Sequence, residues 1–483
     1  RLSQRANGVS SLHGIVSREM FQGLWRAFDT SEVPITSITN GVHHLTWVHR
    51  DLLDLLEAPS GSLSESDGYD WDALSTVDSK TIWALKRRMR EDLIAMTRER
   101  LAASGANRGL STDWVAKALN PDVLTFGFAR RVPSYKRLTL MLRDPDRLKA
   151  LLTDKDRPIQ IVIAGKAHPA DEGGKALVQQ VVQFADDHAV REHIVFLPDY
   201  DIAMAKRLYP GCDVWMNNPL RPYEACGTSG MKAALNGAAN LSILDGWWDE
   251  WFDPAYGWEI PSAEGADGLE RRDDLEAKAL YDIIENEIVP RFYDLDQRAL
   301  PERWIQMIRD TIAGLAPKVV ASRMLRQYVT QLYTPAAVSS HALNSSSGGA
   351  EALASWKRRI RAAWSTVSVE HVESLAGEQV EVGTKIHVSA LVRLGELTPD
   401  DIQVQLVTGR LGSDDHLYDP RVNPFPAGVN IDGGLRRYEG WVEAKRAGAI
   451  GYTVRVVPYH PLLASQAEMG LAVLPASMPT PTY

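Results

Sequence analysis

The segment DVLTFGFARRVPSYKR, Asp122–Arg137, begins as an apolar run and ends among Arg130, Arg131, Lys136 and Arg137. An apolar run of this length suits a strand buried on both faces. Three similar runs follow: PIQIVIAGKAH (158–168), HIVFLPDY (193–200) and LSILDGWW (241–248). Between the runs, PDRLKALLTD (145–154), GKALVQQVVQFADDH (174–188) and DIAMAKRLY (201–209) read as helices. Strands alternating with helices predict an α/β fold, a parallel sheet with helices on both faces. Ligands of such sheets gather at the carboxyl ends of the strands. The loops after FGFARR, IAGKAH and FLPDY open there, so the cationic loop becomes an anion site, and arginine forks suit phosphate oxygens. A solvated basic loop is the plain alternative.

A second segment, EACGTSGMKAALNG (Glu224–Gly237), puts small residues and two glycines ahead of a lysine and a helix. A helix N-terminus offers unpaired N–H groups and a positive dipole end to an anion. Gly227 and Gly230 let backbone approach it, Thr228 and Ser229 add hydroxyls, and Lys232 projects from the first turn. That lysine would either neutralise charge or carry a phosphorylated cofactor covalently. Two phosphate-type sites in one α/β domain suggest a cofactor phosphate meeting a substrate phosphate.

Before the sheet, SREMFQGLWRAF (17–28) and SKTIWALKRRMREDLIAMTRERLAASG (79–105) have helical spacing, and SITNGVHHLTWV (37–48) carries a turn-forming Asn40-Gly41 pair. After it, a helical region runs from about Arg303 to Tyr333. SSHALNSSSGGAE (339–351) reads as a flexible linker or exposed loop, and EALASWKRRIRAAW as a short helix. Two-residue alternation then appears at Ile386, Val388, Ala390 and Val392, at Ile402, Val404 and Leu406, and at Tyr452, Val454 and Val456. It predicts a small antiparallel β domain of sandwich type. The expected domains are 1–118, mostly helical; 119–336, the Rossmann-like lobe; 337–368, linker and helix; and 369–483, the β domain.

With 483 residues the chain exceeds one usual core. Its net charge of −9 argues against nucleic acid or anionic membrane as the main partner. Cys212 and Cys226 are its only cysteines, which fits a reducing cytoplasm and no structural zinc. There is no apolar run of membrane-spanning length and no signal-peptide pattern. The opening RLSQRANGVSSLHGIV reads as though entered in mid-protein.

Taken together, YEACGTSGMKAALNG and ARRVPSYKR resemble the α-glucan (glycogen, maltodextrin) phosphorylases, most closely their shorter bacterial branch. NGVSSLHGIV, TNGVHHLTW, IAGKAHP, FLPDYDIAMAKRLYPGCDVWMNNP and NLSILDGWWDE extend the likeness to about Ala336. The resemblance implies a two-lobed GT-B-type glycosyltransferase architecture with pyridoxal phosphate carried on Lys232. It implies that Gly227, Thr228 and Ser229 hold the cofactor phosphate and that Tyr200 lies near the cofactor. Arg131 and Lys136 then bind inorganic phosphate, with Arg130 at a position that is usually basic. His13, Tyr135, Glu224, Cys226 and Gly227 contact the glucosyl unit, position 226 mainly through backbone. The implied reaction is phosphorolysis of α-1,4-glucan (glycogen or maltodextrin) to α-glucose 1-phosphate with retention, in the cytoplasm, and a homodimer stays open.

Pro133 and Ser134 replace a His-Glu pair of the animal enzymes, and Cys226 and Ser229 replace a serine and a glycine. The family's first lobe, with a glycine loop over the phosphates, is expected ahead of Arg1, so the chain by itself is expected to be incomplete and inactive. A nucleotide-sugar glycosyltransferase of the glycogen synthase kind and a non-catalytic glucan-binding protein remain alternatives. Lys232 argues against the former, which needs no lysine there. Trp247, Trp248 and Trp251 read as core or inter-lobe packing rather than sugar platforms, and His43 and His44 as loop residues without metal-ligand partners.

Overall fold

The structure, a computed structural model, describes residues 3–57, 69–131, 134–345, 349–374, 380–413, 416–445 and 447–476. Pro133 therefore lies outside the described residues, as do the side chains of Arg131 and Ser134. Two compact units emerge: residues 8–13 with 37–328, and residues 1–7 with 14–36 and 329–483.

The first unit is built on a six-stranded parallel sheet: β1 (Leu124–Arg131), β2 (Ile159–Lys166), β3 (Ile194–Leu197), β4 (Val214–Asn217), β5 (Ala239–Ile243) and β6 (Gly257–Ile260). Spatial order is β3-β2-β1-β4-β5-β6, so the chain reverses direction of growth between β1 and β4. There two neighbouring strands send their following loops apart and leave a crevice at their carboxyl ends. β1 pairs with β2 from Leu124↔Ile159 to Arg131↔Lys166, and with β4 through Phe126↔Val214 and Gly127↔Trp215. Phe126, Phe128, Ile161, Ile163, Val214 and Leu241 are all buried, which is why these runs are apolar without alternation.

Four of the six strands are those expected from the sequence. β4 and β6 are four residues each, VWMN and GWEI; β3 is as short but is the unbroken apolar run IVFL, whereas Asn217 and Glu259 interrupt the other two. Helix α1 (Ser79–Asn107) is capped by Asp78, whose carboxylate accepts from the N–H groups of Lys80 and Thr81. Helix α2 (Ile202–Gly211) is capped by Asp201 through the N–H of Met204. Asn40-Gly41 makes no turn. Gly41 is needed because a Cβ there would lie 2.5 Å from the carbonyl oxygen of Val320. Segment 39–42 is held there by Arg323, which donates to the carbonyls of Thr39 and Asn40. Trp247 and Trp248 are fully buried in the core, where no sugar reaches them.

In the second unit, helices Thr334–Ser345 and Gly349–Ala363 occupy most of the stretch read as a flexible linker. Alanines and leucine offset the serines there, and Leu353, Trp356 and Ile360 bury one face of the later helix. Seven antiparallel strands follow in two sheets. Ser368–Ser374, Lys385–Arg393, Val429–Asp432 and Leu435–Glu443 form one, and Ile402–Leu411, Leu417–Pro424 and Ile450–Pro458 the other. Val388, Val392, Val404, Leu406, Val454 and Val456 share one core between them, as their two-residue alternation requires.

Candidate active site

β1 delivers Arg130 to the crevice and the short turn Ser134–Lys136 delivers Tyr135 and Lys136. The segment after β4 returns Glu224 to the same place. Arg130 Nη1 lies 3.0 Å from Glu224 Oε2, and Lys136 Nζ lies 3.3 Å from the same carboxylate. Arg130 and Glu224 are each 5% exposed. Burial alone would raise the Glu224 carboxyl, but Arg130 and Lys136 outweigh it and hold the group below its ordinary range. Arg130 Nε and Nη2 are buried and find no acceptor among the described residues. A buried guanidinium with unspent donors is costly unless an anion completes it. The geometry of this corner therefore fits an anionic ligand beside Glu224.

Arg137 belongs elsewhere. It is buried, donates to the carbonyls of Asn218 and Pro219 and pairs with Asp273 and Glu276. It fastens the segment after β4 to helix Leu269–Ile283 and does not join the anion corner.

Gly227, in the left-handed region at φ +85°, opens helix α3 (Thr228–Ala234), and no side chain caps that end. Ser229 Oγ accepts from the indole N–H of Trp215, which fixes the hydroxyl against β4. Lys232 points into an aromatic recess: its Nζ lies 4.1 Å from the centroid of the Trp47 ring and 5.6 Å from that of Tyr209. No carboxylate pairs with it among the described residues. Burial pushes its ammonium below the ordinary lysine range, the condition for a nucleophilic amine. The Tyr209 hydroxyl meets that of Tyr200 at 2.8 Å, and the charge of Arg130 acts on both tyrosines. Tyr200 thus stands behind Tyr209 at the lysine recess. A phosphorylated aldehyde fits this donor set, with Lys232 to bond its carbonyl carbon and unspent N–H groups nearby for its anion.

His13 reaches the site along another path. Its Nδ1 accepts from the N–H of Val9, which leaves Nε2 as the protonated nitrogen, and its backbone N–H donates to Ser10 Oγ. Ser10 Oγ in turn donates to the Ala225 carbonyl. Tyr135 is half-buried, and burial followed by the Glu224 charge raises its hydroxyl above the ordinary range. Cys226 is buried, its thiol pushed up to about 12 mainly by burial, while its carbonyl accepts from the N–H of Trp247.

Sequence reasoning missed Asp245, Trp47, Tyr209 and Asn236. Asp245 is 1% exposed; it accepts from the N–H of Glu224 at 3.0 Å and from that of Gly246 at 2.8 Å. Beside it Gly246 has φ +56°, and a Cβ there would lie 2.3 Å from the Cys226 carbonyl oxygen. The end of β5 therefore shapes the turn 224–226 from beneath. Asp245-Gly246 lies in the DGWW string that was read only as strand and core. Its signal was the Asp-Gly pair directly after an apolar run.

A cation-and-carboxylate corner at the switch point of a parallel sheet, with a desolvated lysine in the same unit, is an α/β site suited to an anion. A family profile described as carbohydrate phosphorylase matches residues 1–250, and one described as glycogen phosphorylase C-terminal domain matches 364–476. The chain belongs to the carbohydrate phosphorylase family. Among its relatives, the glycogen phosphorylase of Mycobacterium tuberculosis (strain ATCC 25618 / H37Rv) is 52% identical over 480 residues, covering 98% of this chain and 56% of the relative. The maltodextrin phosphorylase of Thermococcus litoralis is 34% identical with the same two coverages. The glycogen phosphorylase of Aquifex aeolicus is 40% identical over 340 residues, 69% of this chain and 48% of that protein. The chain spans about half the length of the curated relatives it matches.

Proposed function

We propose that the chain contributes the cofactor- and phosphate-binding residues of an α-1,4-glucan phosphorylase with GT-B architecture, acting in the cytoplasm on glycogen or maltodextrin. The observation that carries this reading is Lys232, an uncompensated amine over Trp47 and Tyr209, in the same unit as a buried guanidinium with unspent donors. A site for a nucleotide sugar has no use for such an amine.

In this reading Lys232 carries pyridoxal phosphate, Gly227, Thr228 and Ser229 hold its phosphate, and Tyr200 borders it. When bound, that group supplies a phosphate able to exchange a proton with the substrate phosphate. Arg130, Arg131 and Lys136 gather the substrate phosphate and offset the repulsion between two adjacent phosphates. Glu224 accepts from sugar hydroxyls, and Tyr135, His13 and the backbone of Cys226 and Gly227 fix the ring. The substrate phosphate protonates the glycosidic oxygen as that bond breaks. It then bonds the anomeric carbon from the same face, which gives α-glucose 1-phosphate. No pair of protein carboxylates is needed.

The test is release of glucose 1-phosphate from maltodextrin and inorganic phosphate, with the chain alone and extended to the length of its mycobacterial relatives. Activity is expected in the extended protein and lost in its Lys232→Ala variant. Release that survives Lys232→Ala, or depends on a nucleotide sugar, would overturn the assignment.

A further inference from the structure

Around the Lys232 amine, three separate elements converge: the short helix His44–Trp47, α2 with Tyr209, and α3 with the lysine itself. Aromatic contact alone does not hold such a recess in register, since Trp47 and Tyr209 meet only edge to face at 5.6 Å. The register comes from one buried amide. Asn236, 0% exposed, donates through Nδ2 to the carbonyl of Trp47 and to that of Lys232, both at 2.9 Å. Its Oδ1 accepts from the N–H of His49 at 2.8 Å. Two carbonyl partners on one side and an N–H partner on the other fix which way the amide points.

Asn236 is itself anchored. Its carbonyl accepts from Lys86 Nζ at 3.2 Å, and the same ammonium donates to the carbonyls of Pro210 and Cys212. Pro210 directly follows Tyr209 within α2. Through Asn236 and Lys86, all three walls of the recess are therefore referred to one point.

We propose that Asn236 is a positioning residue for the Lys232 amine, holding the Trp47 indole beneath Nζ so that the amine stays dry and uncompensated. The proposal rests on Lys232 being the working amine of the site. The groups that face Nζ are the rings of Trp47 and Tyr209, with Tyr200 behind the latter. None of these supplies a negative charge at neutral pH, so water entering the recess is what would restore an ordinary lysine. Loss of the amide frees the carbonyl of Trp47 and the N–H of His49, and the indole is no longer pinned. Asp at this position keeps the volume but turns an oxygen toward two carbonyls.

The experiment labels the amine without any cofactor. The full chain is treated with formaldehyde and cyanoborohydride over a range of pH, and methylation of Lys232 is read by peptide mapping. Parent, Asn236→Ala, Asn236→Asp and Val181→Ala are compared, the last a buried truncation on helix Glu172–Ala185, which carries none of the clamp residues. Both Asn236 variants are expected to label Lys232 about threefold more slowly at neutral pH, with the profile displaced upward by about half a pH unit. Val181→Ala should keep the parent profile. An unchanged profile in a folded Asn236 variant, or an equal displacement in Val181→Ala, would overturn the proposal. So would failure of both Asn236 variants to fold, judged by circular dichroism, since that would make Asn236 a residue of the fold alone. If pyridoxal phosphate does not attach to Lys232 in the parent, the functional assignment fails while this result still stands or falls by itself.

Discussion

Arg130 shows how a single residue is divided between structure and chemistry. One nitrogen pairs with Glu224 and two buried nitrogens are unspent. Arg130→Met would leave Glu224 buried with Lys136 as its remaining cation, so stability should fall by about 3–5 kcal/mol. Arg130→Met combined with Glu224→Gln should recover most of that loss in urea unfolding, whereas additive losses would show that the two do not act as a pair. Lys136, more exposed and at the rim, should behave differently. Lys136→Ala is expected to weaken inorganic phosphate binding by roughly 1.5–3 kcal/mol, the worth of a charge-assisted contact, with little effect on unfolding. Phosphate titration checks it, and an unchanged affinity would return this loop to the solvent. Asp245 supplies a pH signature. Burial, despite the two N–H groups it accepts, raises its carboxyl from 3.8 to about 7. The folded state thus binds the proton more tightly than the unfolded state. The resulting stability is fully present below about pH 4 and is lost as pH rises through 7. Asp245→Asn cannot titrate, so its stability relative to the parent should improve steadily from pH 4 to 8. A pH-independent difference would contradict this.

At the scale of elements, legibility followed burial pattern and length. β1, β2, β3 and β5 are long or apolar enough to be read directly from the sequence, and the basic loop could be placed at their carboxyl edge. β4, the strand that creates the switch point, is only VWMN and ends on a polar residue, whereas the equally short β3 is the unbroken apolar run IVFL. The linker was misjudged because SSHALNSSSGGAE is rich in serine and glycine. Helix Thr334–Ser345 covers its first half and packs Leu343 against the core of the second unit, a tertiary contact that propensity does not register. In the site, motif residues were legible while the residues that hold them were not. Asp245, Asn236 and Lys86 act through backbone groups far away in sequence, and no local spacing encodes such contacts. The turn 224–226 is one consequence that can be tested. Gly246→Ala would place a Cβ against the Cys226 carbonyl at a left-handed φ, with an expected loss of about 1–3 kcal/mol. Thermal unfolding should show it, and a neutral substitution would mean the end of β5 does not brace the turn.

Over the whole molecule, the carbohydrate phosphorylase profile, residues 1–250, covers most of the first unit but also residues 1–7 and 14–36 of the second, while the glycogen phosphorylase C-terminal profile, residues 364–476, falls within the second unit. No helix among the described residues is long and apolar enough to cross a membrane. The residues singled out for chemistry all fall in the first unit. The proposed function turns on Lys232 as the amine that would carry pyridoxal phosphate. The direct measurement is to saturate the 483-residue chain with pyridoxal phosphate, reduce with borohydride, digest and map the label by mass spectrometry. One stoichiometric modification is expected on the peptide containing Lys232, abolished by Lys232→Ala. A label placed mainly on another lysine, or none in cofactor-saturated protein, would contradict it.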